Sequence, residues 1–129
     1  MREMISASRL FFLVTLASAV LCSATAAQAS SPITRASSTC HLGKDGRRLG
    51  ATYVTSLSVT RVSCSRGKRV VKAYNACRKA HGGVKGRCPR KVLGYRCSEH
   101  RQSIPTEITA RVSCKAHSRR VRFNYEQFT

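Results

Sequence analysis

The chain is 129 residues long and carries 24 Lys and Arg against 5 Asp and Glu, a formal net charge of +19 with its four histidines neutral. That length makes one small domain, and so few carboxylates leave little material for the paired acids that many hydrolases use. A charge of this size points to anionic partners and says nothing about the fold.

The amino end sets the compartment. Met1 to Arg9 holds two arginines, the run from Leu10 to Ala27 is apolar or small, and it closes on Ala27-Gln28-Ala29. This is the pattern of a secretory signal over residues 1–29, cut after Ala29. A retained membrane anchor is the competing reading, but the small-residue end and the Ser30-Ser31-Pro32 that follows favour cleavage, so no stable membrane span is expected afterwards. Removing residues 1–29 leaves 100 residues and a formal charge of +18. Cys22 leaves with the signal. Six cysteines remain: Cys40, Cys64, Cys77, Cys88, Cys97 and Cys114. An even number in an exported chain implies three disulfides, which a domain this small needs as staples.

Ser30 to Thr39 has no core pattern and reads as a flexible lead, with the domain expected from Cys40 to Thr129. Lys44-Asp45-Gly46 is a turn signal. Tyr53, Thr55, Leu57 and Val59 alternate with small or polar residues as in a strand. Val62 to Gly83 then reads as the one long helix. Val70, Ala73, Tyr74, Cys77, Ala80 and His81 share one side of it, and Lys68, Lys72, Asn75 and Lys79 share the other. Ser63 or Ser65 caps its start, and Gly82 with Gly83 stops it.

Beyond the helix, His81 to Arg90 is a loop rich in glycine and proline. Val92 to Ser98 is expected as a strand with Leu93, Tyr95 and Cys97 inward, followed by a polar loop from Glu99 to Thr106. Ile108, Ala110, Val112 and Cys114 share a face of the next strand, and Val121, Phe123 and Tyr125 a face of the last. Three strands joined by short loops make an antiparallel meander whose apolar face packs on the helix. The expected fold is therefore α+β, one helix on a three- or four-stranded antiparallel sheet, stapled by disulfides.

Alternation places Arg96, Arg111, Arg120 and Arg122 on the opposite, solvent face. Together with the Lys68, Lys72 and Lys79 stripe they are the candidate polyanion-binding residues. Nucleic acid is not the expected partner, because Tyr95, Phe123 and Tyr125 are committed to the core and leave no platforms for stacked bases. A membrane-lytic role needs an amphipathic helix free to insert, and here the sheet claims its apolar face. Cys77 and His81, Cys97 and His100, and Cys114 and His117 stand at zinc-like separations, but oxidation competes for the thiolates in an exported chain. No nucleophile elbow, activated base or Cys-x-x-Cys pair is present, so no enzyme, cofactor or metal is expected. Two readings of different class result: a secreted, monomeric cationic binding module for anionic cell-envelope polymers, and a secreted protein-interaction domain, such as a hydrolase inhibitor, that docks on an acidic surface. The loops Gly82–Arg90 and Glu99–Thr106 would be the inserting elements of the second.

Six cysteines allow fifteen pairings. Cys97 and Cys114 fall on the inward face of adjacent antiparallel strands, within bridging reach. Cys77 and Cys88 flank the glycine-rich loop, which leaves Cys40 with Cys64. A competing pattern crosses Cys64 with Cys97 or Cys114 if the first strand lies beside the last. The Arg61-Val62-Ser63-Cys64 segment recurs as Arg111-Val112-Ser113-Cys114, which keeps that pattern open.

The succession GATYVTSLSVTRVSC, RVVKAYNACR, VLGYRC, ARVSC and RRVRFNY resembles small secreted cysteine-containing actinobacterial proteins of uncharacterised function. The resemblance spans Cys40 to Tyr125 and implies export and fold, with Cys77 and Cys88 an optional addition to a framework of four cysteines. It brings no catalytic motif. Amino-terminal sequencing of protein from the culture medium is expected to begin at Ser30; recovery only from membranes with residues 1–29 intact would refute the cleavage.

Overall fold

A computed structural model describes residues 36–129. The signal-like segment 1–29 and residues 30–35 of the expected lead lie outside the described residues. Five antiparallel strands form one sheet: β1 (Ser37–Thr39), β2 (Tyr53–Thr60), β3 (Arg96–Ile104), β4 (Glu107–Ala116) and β5 (Arg119–Phe128), in the order β1-β2-β5-β4-β3. A single α-helix, α1 (Cys64–Ala80), covers one face. The α+β class is as expected, and the strand number is corrected from three or four to five.

The differences from expectation have physical reasons. β1 lies inside the expected flexible lead, where all three of its side chains are exposed. It is held by backbone pairing to β2 alone, from Ser37 opposite Thr60 to Thr39 opposite Ser58, so it leaves no hydrophobic period to read. β3 begins four residues later than expected and runs through most of the supposed Glu99–Thr106 loop, pairing with β4 from Arg96 opposite Lys115 to Ile104 opposite Glu107. What precedes it is a two-residue turn, with Val92 and Tyr95 exchanging both backbone hydrogen bonds at 2.9 and 2.8 Å. Leu93 and Gly94 both take positive φ there (48° and 84°), as a hairpin turn of the primed type demands. Leu93, expected inward, is consequently exposed.

β2 lies beside the last strand, β5, but the cysteines do not cross. The bonds are Cys40–Cys64, Cys77–Cys88 and Cys97–Cys114, and Cys97 stands directly opposite Cys114 in register. Each joins segments the backbone already brings together: β1's end to the helix start, the helix end to its following loop, and β3 to β4.

Ser63 caps the helix, its hydroxyl accepting from the Arg66 N–H at 3.2 Å. Val70, Val71 and Tyr74 are buried in one core with Leu57, Val59, Val121 and Phe123, and Tyr74 meets Phe123 edge-on at 5.6 Å between ring centres. Gly67 allows the helix to approach β2, because a Cβ there would stand 2.7 Å from a Val59 methyl. Asn75 departs from the expected polar side of the helix: it is fully buried, and so is Arg78 near the helix end. Asn75 donates to the Leu49 carbonyl at 2.9 Å and accepts from Arg78 Nε at 3.3 Å. Arg78 also donates to Gln127 at 3.0 Å and lies 4.6 Å above the Tyr125 ring.

A second polar cluster fills the inward face of β3. Glu99 accepts hydrogen bonds from Tyr74 at 2.5 Å, from Tyr125 at 3.1 Å and from the Arg101 Nε, while Arg87 reaches it from outside at 3.4 Å. The Glu99 and Arg101 side chains are only 5% and 7% exposed. Burial pushes the Glu99 carboxyl up, but the bonds from Arg101 and Tyr74 and the Arg101 charge outweigh it and hold it below its ordinary 4.5. Burial and the same carboxylate push the Tyr74 hydroxyl well above the usual tyrosine range.

A depressed carboxyl contributes stability that is fully present above its ordinary value and is lost as pH falls through its folded value. Glu99→Gln should therefore cost about 3 kcal/mol at neutral pH, by leaving Arg101 buried without its counter-charge. The variant should also lose part of the acid-side fall in stability. Denaturant melts of both proteins across the range from neutral to below pH 4.5 check this.

Candidate functional site

The solvent face of the sheet is built by alternation on β3, β4 and β5. Arg96, Lys115 and Arg120 stand side by side in one row across these strands. The next row outward from that end holds Ser98, Ser113 and Arg122, and the one after it His100, Arg111 and Asn124. Arg96, Arg111, Lys115 and Arg122 are exposed and Arg120 half-buried. The structure thus brings together all four expected arginines and adds Lys115, which alternation from Val112 and Cys114 already placed outward.

Cations opposed across strands repel one another. Neutral residues relieve this for two of the five, with Ser58 and Ser113 flanking Arg122 and Asn124 standing opposite Arg111, while Arg96, Lys115 and Arg120 remain directly opposed and only Thr60 borders their row. Among the described residues, none of these five cations lies within ion-pair distance of a carboxylate. Their charge is turned to solvent.

The face is not uniform along the strands. At its far end Ile104, Glu107 and Phe128 share a row, and Phe128 meets Tyr53 edge-on at 5.8 Å between ring centres. Phe128 is 51% exposed, and Arg47 lies 5.1 Å above the Tyr53 ring. Sequence reading set Tyr53 and Thr55 in one alternation with Leu57 and Val59 and gave Phe128 no place; the bulge between Val54 and Ser56 instead puts Val54 inward and leaves Tyr53 opposite the outward Glu126 and Thr55 exposed. Phe128 follows the buried Gln127 and continues the outward series Arg120, Arg122, Asn124, Glu126, which was the available signal.

The helix stripe lies on the other layer, so the two groups of cations do not form one site. Lys68 is bound to Asp45 at 2.6 Å, and the hydrogen bond holds that carboxyl below its usual range. Lys72 and Lys79 are exposed, joined by Arg69. Asn75 belongs to the interior.

All six sulfurs of the described cysteines are in disulfides, so none offers a thiolate to zinc. His81 Nδ1 donates to the Cys77 carbonyl at 2.7 Å, which explains that pair's spacing as a helix-end contact. Among the described residues no group of three or more His, Cys, Asp or Glu side chains is arranged to hold a metal ion. No helix among them is long and apolar enough to cross a membrane.

The arrangement can hold an extended anion by charge contacts along the Arg96, Lys115, Arg120 row and through Arg122 and Arg111. Charge-assisted hydrogen bonds from arginine forks would favour carboxylate or phosphate groups. Comparison of the chain with family models, with curated proteins and with solved structures returns no match.

Proposed function

We propose that the protein is a secreted, non-enzymatic binding module for anionic polymers of the cell envelope, and that the solvent face of the sheet is where they bind. The observation that carries this reading is the clustering of five outward cations on three adjacent strands with no carboxylate among the described residues paired to them. Phosphate-bearing polymers and acidic glycans need only such contacts, and their binding weakens with salt as counterions are released.

A second reading is favoured by one particular feature. The loop from Gly82 to Arg90 is held from beneath: Arg78 donates to the Val84 carbonyl at 2.5 Å, and Arg101 donates to the Lys85 and Gly86 carbonyls at 2.8 Å each. Cys77–Cys88 closes it, and Val84 stands 42% exposed. A loop so pinned is pre-organised for insertion into an acidic cleft, as an inhibitor requires. The Glu99–Thr106 segment, being mostly strand, is withdrawn from that role.

Replacing Arg111, Arg120 and Arg122 together with glutamine should lower the slope of log affinity against log salt for a teichoic-type polymer by about three units, one for each phosphate no longer neutralised. An unchanged slope would move the site to Arg69, Lys72 and Lys79. For the inhibitor reading, a captured protein partner should survive high salt and be released by Val84→Asp, with polymer binding unaltered.

A further inference from the structure

Between the basic and aromatic ends of the sheet's solvent face lies a shallow groove of about 530 Å³. Six outward side chains form its floor as two rows of three: His100, Arg111 and Asn124 in one row, Gln102, Thr109 and Glu126 in the next. Strand geometry makes this array roughly 7 Å by 10 Å. On the β2 side the groove is bounded by Thr55, the extra residue of a bulge where Val54 pairs with Tyr125 and Ser56 with Asn124. A bulge bends its strand and re-aims side chains, and here it sets Thr55 at the margin of the groove.

The two rows differ in chemistry. The first offers a guanidinium fork and an imidazole beside a carboxamide, a setting for one carboxylate or phosphate oxygen pair. The second offers a carboxamide, a hydroxyl and the Glu126 carboxylate. An ionised carboxylate only accepts, so an occupant must bring hydroxyl or amine donors to it. A bare polyanion brings none and is repelled.

We infer that this groove is a subsite for a single polyol unit bearing one anionic group, with the charge on Arg111 and the hydroxyls on Gln102, Thr109 and Glu126. The inference rests on the polyanion-binding reading of the same face and adds to it a requirement for hydroxyls. The chain of the polymer then continues over Arg122 and Arg120 toward Arg96. An acidic glycan and a polyol phosphate both supply this chemistry, one through a carboxylate and the other through a phosphodiester.

Glu126→Gln separates the groove from the charged face, because it removes an acceptor and a negative charge at one stroke. Three oligomers of four units are titrated at fixed salt against the wild type, Glu126→Gln and the double variant Gln102→Ala, Thr109→Val. They are an oligogalacturonate, an oligo(ribitol phosphate) and an inorganic polyphosphate. Losing one hydrogen bond to a charged group should weaken a polyol anion about tenfold. The polyphosphate should bind Glu126→Gln more tightly than wild type and be unaffected by the double variant. Inversion of sign with either polyol supports the subsite and identifies the source of its anion. Tightening of all three oligomers by Glu126→Gln overturns the subsite and leaves the charged face standing, whereas failure of the wild type to bind any of them overturns both. Matching thermal melts confirm that these substitutions leave the fold intact.

Discussion

The Glu99 carboxylate is where the helix, the sheet and the loop that follows the helix are tied together. It takes a hydrogen bond from Tyr74 on the helix, one from Tyr125 on β5 and one from Arg101 two residues along its own strand. Arg101 in turn holds the Lys85 and Gly86 carbonyls, so the loop's backbone is satisfied from within the protein. Under β2 and β4 the core is apolar, and under β5 it is apolar except for the buried Arg78–Gln127 hydrogen bond. Under β3, buried ion pairing with full hydrogen bonding replaces apolar packing.

That internal use of charge shapes the surface. Glu99 is consumed inside and Asp45 is bound to Lys68, which leaves Glu107 and Glu126 as the other acidic residues of the described domain. Both lie toward the aromatic end of the sheet's solvent face. The opposite end therefore keeps its cations uncompensated, and the face acquires a direction along the strands: apolar, then mixed, then basic.

Much of this is legible in the chain. Period-two alternation in β4 and β5 is strong enough that their inward residues and the outward arginines follow from it alone, whereas in β2 it holds for Leu57 and Val59 and is broken by the bulge before them. The helix is legible from its apolar spacing and its serine cap. β3 is not, because its inward positions after Cys97 are Glu99 and Arg101, and polar residues on both faces look like a loop. Asn75 and Arg78 escape for a related reason: a side chain whose polar atoms are all paired can be buried, but the partners, Leu49 and Gln127, are far away in sequence. The groove depends on a bulge at Thr55, which follows from the mismatch of two strands' registers and leaves no mark in either strand alone.

The inward charges of β3 also bear on how molecules of this protein meet one another. β3 is a nine-residue edge strand, with β4 on one side only. An uncovered edge of that length is a template for a strand from a second chain, and through it for open-ended association. An incoming strand would have to set its own inward side chains beside Glu99 and Arg101, whose hydrogen bonds are already spoken for. The other edge, β1, is three residues long and offers little to extend. The same ion pair that closes the interior thus stands at the margin of the sheet, where it opposes the pairing of one molecule's edge with another's.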